Sequence, residues 1–261
     1  MITKRCVLAA MVLLATFVVA GCERAPGKPN PEERWVPPAQ VTDFNQLYSQ
    51  NCAGCHGTSG RLGSAPQLND PLYLAVANPD ALREVTAKGV AGTSMPPFAE
   101  QSGGSLTEKQ IDALVEGMRS QWGRPNDFKD VALPPYSLKD AINSGSGSGD
   151  AQRGVNVFAT YCAQCHGADG RGGTKVGSVV NPNFLALASD QSLRTTTIVG
   201  RPDLGKPDWR ANVSEHPMSP QEISDVVAWL VAQRGNTSSL GRDSADSKVS
   251  SIKVADGRKR E

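Results

Sequence analysis

One short cysteine-histidine string occurs twice in this chain and limits what the chain can fold into. The two copies are CAGCHG at residues 52–57 and CAQCHG at residues 162–167. A zinc ribbon would place its cysteine pairs roughly 15–20 residues apart, whereas 106 residues separate Cys55 from Cys162. A thioredoxin-like dithiol would need a surrounding βαβ pattern, which the sequence lacks.

The string C-x-x-C-H is the attachment signature of haem c. Two thiols spaced three residues apart can each bond one vinyl group of the same porphyrin, and the next histidine can then reach the iron. The sequence therefore predicts two covalently bound haem c groups. The expected haem-binding residues are Cys52, Cys55, His56, Cys162, Cys165 and His166.

The N-terminus predicts export and a lipid anchor. A short basic start precedes an apolar run that is too short to span a bilayer as a mature helix, which is typical of a secretory signal over residues 1–21. The run ends in VAGC at residues 19–22, which resembles the bacterial lipobox. That resemblance implies a lipid on the Cys22 thiol and a place on the periplasmic or other extracytoplasmic face of a bacterial membrane. The alternative is an ordinary signal peptide with a chance cysteine.

Cysteine use and charge exclude two other classes of protein. Export favours disulfides, but Cys6 leaves with the signal, Cys22 is the lipid site, and the four remaining cysteines all lie in the two strings. The formal net charge is +1 at pH 7. Without a block of basic residues, the chain lacks what nucleic-acid binding needs.

Two compact segments, 41–122 and 150–234, are repeats of each other, because residues 69–98 align on 180–209 without a gap. The other predicted segments are a signal peptide (1–21), a proline-rich tether (22–40), a flexible linker (123–149) and a disordered tail (235–261).

Each repeat is predicted to be helical, and the fold class is therefore mainly α. The expected helices cover 42–51, 80–88 and 107–121 in the first repeat, and 150–161, 190–199 and 219–234 in the second. Both closing helices begin with a capping-box pattern, at Thr107 and at Ser219. No alternating strand pattern of useful length appears.

Together, the strings CAGCHG and CAQCHG and the segment GDAQRG at 149–154 resemble class I cytochromes c in their two-domain dihaem form. The resemblance covers both repeats. It implies two tandem cytochrome c domains, and a loop methionine as the sixth ligand of each iron. It also implies a proline whose carbonyl orients the ligand histidine. Pro66 fits that role in the first repeat, whereas Gly177 stands at the matching position of the second, where Asn183 or another carbonyl could substitute.

The sixth ligand of the first haem is predicted to be Met95. It lies in GTSMPP at residues 92–97, 39 residues after His56, and looks like the axial-methionine loop of the family. Met118 lies inside the closing helix, where core packing explains it better.

The second repeat has Lys206 at the position that aligns with Met95. Lys206 is the favoured sixth ligand of the second haem, with Met218 as the alternative and His216 or an open site as further possibilities. Met218 precedes the helix cap, where the first repeat has Leu106 and an apolar contact is expected without any ligand role. A thioether raises the haem potential, whereas an amine favours ferric iron and must lose its proton to bind. The second haem should therefore have the lower potential.

The resemblance also implies that the first and last helices of each domain cross closely, with a small residue against a large one. The alignment of the repeats places Phe44 against Gly117 in the first repeat and Gly154 against Trp229 in the second. At another matched pair, Arg83 and Arg194 would either approach haem propionates or lie on a solvated helix face.

The resemblance implies an electron carrier and no enzyme. A membrane-tethered dihaem c-type cytochrome would pass single electrons between a respiratory membrane oxidoreductase and a partner such as a soluble cytochrome. One alternative is a dihaem enzyme such as a peroxidase, which needs an exchangeable position on one iron. Another is a fixed electron-transfer subunit of a larger quinol-oxidising or dehydrogenase complex.

Overall fold

The computed structural model describes residues 35–173, 176–210, 213 and 216–236, and within them the regular structure is helical. The chain divides into a unit Met1–Val41 and a unit Thr42–Glu261. The described part of the first unit holds one 3-10 turn, Pro38–Gln40. The predicted signal, the lipid site Cys22, most of the tether and nearly all of the tail lie outside the described residues.

The first repeat contains five helices. They are α1 (Phe44–Asn51), α2 (Ala53–His56), α3 (Pro71–Val76), α4 (Pro79–Lys88) and α5 (Glu108–Trp122). The Asp43 side chain accepts the N–H of Gln46 at the start of α1, and the predicted capping box of Thr107 and Gln110 is present at the start of α5. These caps satisfy N–H groups that the helices cannot pair internally.

The second repeat contains the matching five helices, and one further helix lies in the linker. The linker helix is α6 (Leu138–Asn143), and the repeat holds α7 (Ala151–Tyr161), α8 (Ala163–His166), α9 (Pro182–Leu187), α10 (Asp190–Val199) and α11 (Pro220–Asn236). The Ser219 hydroxyl accepts the N–H of Glu222 at 3.3 Å, and the Glu222 carboxylate accepts the N–H of Ser219 at 2.8 Å, which completes the second predicted capping box. No described helix is long and apolar enough to cross a membrane.

The first and last helices of each repeat cross at a glycine, as the sequence predicted. A Cβ on Gly117 would lie 2.2 Å from the ring of Phe44, and a Cβ on Gly154 would lie 2.7 Å from the Cβ of Trp229. The glycine therefore lies on the last helix in the first repeat and on the first helix in the second, and both crossings remain close. Each crossing holds an aromatic cluster, with Trp122 edge-on to Phe44 in the first repeat and Phe158 beside Trp229 in the second.

The linker has more structure than the sequence predicted. It contains a 3-10 turn at Pro125–Phe128 and the short helix α6, whose Ala141 is 1% exposed. The Gln191 side chain on α10 donates to the carbonyl of Tyr136 and accepts the N–H of Leu138. The second half of the linker is thus hydrogen-bonded to the second repeat.

Candidate haem sites

A single helical turn carries each cysteine-histidine string. The carbonyl of Cys52 accepts the N–H of Cys55 at 3.2 Å and that of His56 at 3.0 Å. The carbonyl of Cys162 accepts the corresponding two N–H groups, of Cys165 and His166, at the same distances. Each string is therefore wound so that its two thiols and its imidazole belong to one turn, as attachment of a single flat ring requires.

The cysteine pairs do not have the properties of a redox dithiol. None of the four described cysteines is paired in a disulfide. Burial, followed by the neighbouring cysteine, raises the pKa of Cys52 and of Cys162 to about 11. The reactive cysteine of a C-x-x-C oxidoreductase has a lowered pKa instead. Among the described residues there is also no group of three or more His, Cys, Asp or Glu side chains that could hold a metal ion.

His56 is prepared to bind a metal through one ring nitrogen. Its Nδ1 lies 2.7 Å from the carbonyl of Pro66, which confirms the contact predicted for that proline. The carbonyl can only accept, so Nδ1 carries the proton and Nε2 presents a lone pair. Nε2 is buried and has no hydrogen-bond partner among the described residues. Because burial lowers the pKa of His56, the imidazole is neutral, and this orphaned nitrogen fits the iron of a haem.

His166 has the same contact in a looser form. Its Nδ1 lies 3.3 Å from the carbonyl of Gly177, and the residue is more exposed than His56. The main chain at the position of the missing proline therefore still faces the histidine, without help from Asn183. Glycine does not fix its own φ as proline does, which explains a longer contact at this site.

The main chain that follows the first string packs closely against the string. A Cβ on Gly63 would lie 2.1 Å from the carbonyl of Cys55, so only glycine fits there. The buried Tyr48 hydroxyl donates to the carbonyl of Gly57 at 2.8 Å, and burial raises the pKa of Tyr48 to about 12. Phe158 occupies the matching place in the second repeat, where this hydrogen bond cannot form.

Met95 lies in a loop that closes on the end of α4. Gly89 ends that helix with φ 67°, and a Cβ on Gly89 would lie 2.6 Å from the carbonyl of Met95. The next residue, Val90, donates its N–H to the same carbonyl at 3.0 Å. The Met95 side chain is half-buried.

Lys206 has the same main-chain environment in the second repeat. Gly200 ends α10 with φ 70°, and its Cβ would lie 2.8 Å from the carbonyl of Lys206. Arg201 donates its N–H to that carbonyl at 3.2 Å. The Lys206 side chain is half-buried, like that of Met95. The gapless alignment of the two loops therefore matches their hydrogen bonds.

Met218 and His216 have other surroundings. Met218 is 2% exposed, and its N–H donates to the carbonyl of Trp209 at 3.0 Å. Leu106 makes the matching bond to Phe98 in the first repeat, and is 4% exposed. Met218 therefore has the packing position of an ordinary leucine, whereas His216 is an exposed loop residue.

The two matched arginines differ from each other, and the expectation of a solvated helix face is wrong for Arg194. Arg83 forms ion pairs with Glu108 and Asp112 on the surface of the first repeat. Arg194 is 0% exposed, so it is not on a solvated face. Its guanidinium donates to the carbonyls of Pro135 and Tyr136 and to the hydroxyl of Ser224. These main-chain acceptors belong to the linker, which sequence patterns could not place beside α10.

Each repeat matches a family of known cytochromes. Residues 39–116 match the family described as cytochrome c oxidase, cbb3-type, subunit III, and residues 151–233 match the family cytochrome c. The chain is a dihaem class I cytochrome c. Two such domains carry two covalently bound haem c groups, and the fold of the cytochrome is mainly α.

The cytochrome is similar to subunits of cbb3-type cytochrome c oxidases. It is 31% identical over 140 residues to the cbb3-type cytochrome c oxidase subunit FixPc of Rhizobium leguminosarum bv. viciae, a match that covers 50% of this chain and 40% of the relative. It is 34% identical over 142 residues to the subunit CcoP of Rubrivivax gelatinosus, covering 54% of this chain and 38% of the relative.

A third similarity extends over both repeats. The cytochrome is 23% identical over 232 residues to the cytochrome bc1 complex cytochrome c subunit of Mycobacterium tuberculosis (strain ATCC 25618 / H37Rv), covering 87% of this chain and 76% of the relative. By contrast, the matches to FixPc and CcoP span only about 40% of the length of those two relatives.

Proposed function

We propose that the cytochrome is a membrane-tethered carrier that passes single electrons between a respiratory membrane oxidoreductase and a partner protein. The observation that carries this proposal is the buried Nε2 of His56, which has no described hydrogen-bond partner and lies on the turn of a C-x-x-C-H string. The second string has the same turn, and the Nδ1 of His166 also faces a main-chain carbonyl. The named relatives belong to oxidase and bc1 complexes, which supports a place in a respiratory chain.

The site residues follow from the two strings and their loops. Cys52 and Cys55 would bond the first haem and His56 would bind its iron. Cys162, Cys165 and His166 would do the same for the second haem. The haem supplies one-electron chemistry between ferric and ferrous iron. The chain supplies the ligands, their orientation through the carbonyls of Pro66 and Gly177, and burial.

The sixth ligands are assigned to Met95 and Lys206. In both repeats the main-chain carbonyl of this residue accepts the N–H of the residue that follows a helix-ending glycine. Met218 would have to leave a core position in which it is 2% exposed, and the leucine at the same position of the first repeat shows that the packing needs no ligand. The two haems therefore have unlike ligands, and the second has the lower potential.

The tether is proposed from the N-terminal sequence. The string VAGC at 19–22 would place a lipid on Cys22, on the extracytoplasmic face of a bacterial membrane. Several acyl chains hold a protein durably where one is marginal. Metabolic labelling with a radioactive fatty acid should label the wild-type chain, whereas a Cys22→Ser variant should remain unlabelled and be released from membranes.

A second candidate is a fixed subunit of a larger complex, which the names of the relatives favour. The chemistry at each haem would be the same, but the cytochrome would not diffuse. Purification from membranes in a mild detergent separates the two. A carrier is obtained alone, whereas a fixed subunit is obtained in constant ratio with the other subunits.

The proposed activity is tested by redox cycling of the purified mature protein. Electron transfer requires that the protein accept two electrons per chain and deliver both to a ferric soluble cytochrome. Carbon monoxide should not bind rapidly to either ferrous haem. Rapid binding of carbon monoxide, together with turnover of hydrogen peroxide, would contradict the carrier and support a dihaem enzyme.

A further inference from the structure

A hydrogen bond connects the two repeats directly between their proposed haem sites. The N–H of Leu62 donates to Oδ2 of Asp203 at 3.2 Å, across 141 positions of sequence. Leu62 follows the first cysteine-histidine string, next to Gly63, whose main chain lies on the carbonyl of Cys55. Asp203 lies in the loop that ends at Lys206. The bond therefore joins the attachment segment of the first haem to the ligand loop of the second.

The Asp203 carboxylate is buried and paired with a neighbouring arginine. The Arg201 guanidinium donates to both carboxylate oxygens of Asp203 at 2.9 Å. The Asp203 side chain is 2% exposed. The loop itself is closed by the main-chain pairing of Arg201 with Lys206. The Arg201 guanidinium, and to a smaller extent the Leu62 N–H, lowers the pKa of Asp203, so the carboxylate remains charged at neutral pH.

The partner of Asp203 has a strained main chain. Leu62 has φ 60° and is the one non-glycine residue with positive φ among those described. The matching residue of the second repeat is Gly172, with φ 92°. A left-handed conformation is unfavourable for a residue with a Cβ, because the Cβ comes too close to the following carbonyl oxygen. Such strain persists where surrounding contacts fix the chain, and the bond to Asp203 is such a contact.

The ion pair is specific to the second repeat. Val90 and Gly92 stand at the positions that match Arg201 and Asp203, so the loop of Met95 has no charged pair. A feature needed to fold a ligand loop would be expected in both repeats. Its presence in the loop that faces the other domain points to a role between the domains.

We propose that Asp203 is a positioning residue that fastens the two haem sites at a fixed separation, so that an electron passes directly from one to the other. This inference rests on the proposed function, because it requires a haem in each repeat. In the step concerned, one electron leaves the reduced haem and the oxidised haem gains it, with no bond formed or broken. Such transfer depends on the distance between the groups, which a loosened contact increases.

The test compares three variants of the mature holoprotein. Asp203→Ala removes both the Leu62 bond and the Arg201 pair, whereas Asp203→Asn keeps one oxygen that can accept from Leu62. Asp169→Ala is the matched control, because Asp169 pairs with Arg171 two residues away and has no described bond to the first repeat. The measurements are haem count, low-temperature electron paramagnetic resonance of both ferric haems, and the rate of electron exchange between the haems after pulsed reduction.

The expected result is two haems with unchanged resonance signals in every variant, and slower exchange in the Asp203 variants. Because small displacements of positioned groups cost rate steeply, we expect a loss of about tenfold or more in Asp203→Ala. Asp203→Asn should lose less, and Asp169→Ala should match wild type. Wild-type exchange in Asp203→Ala would overturn the proposal. So would slower exchange with an altered signal of the second haem, because Asp203 would then act only within its own loop.

Failure of the proposed function would be visible in the wild-type protein itself. If wild-type protein lacked a second haem, or showed no exchange between two haems, the relay itself would be refuted before any variant was compared. Normal exchange in wild type combined with normal exchange in Asp203→Ala refutes only the positioning role.

Discussion

Lys206 pairs with Arg201 through two main-chain hydrogen bonds, of 2.9 and 3.2 Å, that form an isolated antiparallel bridge. The second of these bonds is the counterpart of the bond from Val90 to Met95 in the first repeat. The two loops therefore begin at equivalent glycines and present equivalent residues. What differs is the chemistry presented, an amine in one loop and a thioether in the other.

Replacing Lys206 by methionine should raise the potential of the second haem towards that of the first. A thioether stabilises ferrous iron relative to an amine. A potentiometric titration of Lys206→Met should show the lower wave moved upwards, with the upper wave unchanged. Met218→Leu is the matched control, because Leu106 occupies the corresponding place. It should leave both waves where they are, and a shift of the lower wave in that control would instead identify Met218 as the ligand.

Fixing the main chain at Gly177 should lower the potential of the second haem. Gly177→Pro reproduces Pro66, and its Cβ would meet no atom within 4 Å. A firmer acceptor for Nδ1 makes the histidine a more basic ligand, which favours ferric iron. Gly177→Ala adds the same Cβ without fixing φ, so it should show little change. An unchanged potential in Gly177→Pro would show that the 3.3 Å contact does not influence the iron.

The two matched arginines should differ sharply in their effect on stability. Arg194→Met leaves the carbonyls of Pro135 and Tyr136 without their donors in a fully buried place, and should lower the free energy of unfolding by about 3 kcal/mol. Arg83→Met removes only partly exposed ion pairs, and should cost less than about 1 kcal/mol. Guanidinium unfolding followed by circular dichroism measures both. Equal effects would contradict the buried role of Arg194.

The helix crossing of the second repeat should not tolerate a methyl group. In Gly154→Ala the new Cβ would lie 2.2 Å from the carbonyl of Asp225 and 2.7 Å from Trp229. Neither atom is the end of a flexible side chain, so we expect the free energy of unfolding to fall by about 2 kcal/mol. Gly54→Ala is the control, because a Cβ there meets no atom within 4 Å. Gly54→Ala should not lower the midpoint of thermal unfolding. Equal midpoints in the two variants would contradict the claim that the crossing requires glycine at position 154.

The hydroxyl of Tyr48 should contribute measurably to the stability of the first domain. Tyr48→Phe removes the 2.8 Å bond to Gly57 and should cost about 1 kcal/mol, since the carbonyl loses a buried donor. Tyr161→Phe is a suitable control, because its hydroxyl makes a longer bond of 3.3 Å to Glu222. Chemical denaturation should show a clearly smaller effect for Tyr161→Phe, and the reverse order would be incompatible with the buried bond.

Much of the fold could be predicted from the sequence because its signals are local. The helices that begin with caps and contain periodic apolar residues were predicted to within two residues at each end, and α10 was predicted as 190–199, as observed. The alignment of the repeats also predicted that the large and the small residue at the helix crossing change places. They are Phe44 and Gly117 in the first repeat, and Gly154 and Trp229 in the second. The short helices Pro71–Val76 and Pro182–Leu187 were missed, because six residues are too few to show a helical period.

The contacts that organise the two domains could not be predicted, since they join distant positions. Arg194 is buried by linker carbonyls 58 and 59 positions away. The bond from Leu62 to Asp203 spans 141 positions, and neither residue belongs to a motif. A leucine where the other repeat has glycine was the one available signal, and it becomes informative only when the main-chain angles are known.

A potentiometric titration of the wild-type holoprotein shows whether two haems with unlike ligands transfer single electrons. We expect two separate one-electron waves per chain, the upper from the haem of Met95 and the lower from the haem of Lys206. Two coincident waves at a potential typical of methionine ligation, or a single wave of one electron per chain, would contradict this expectation.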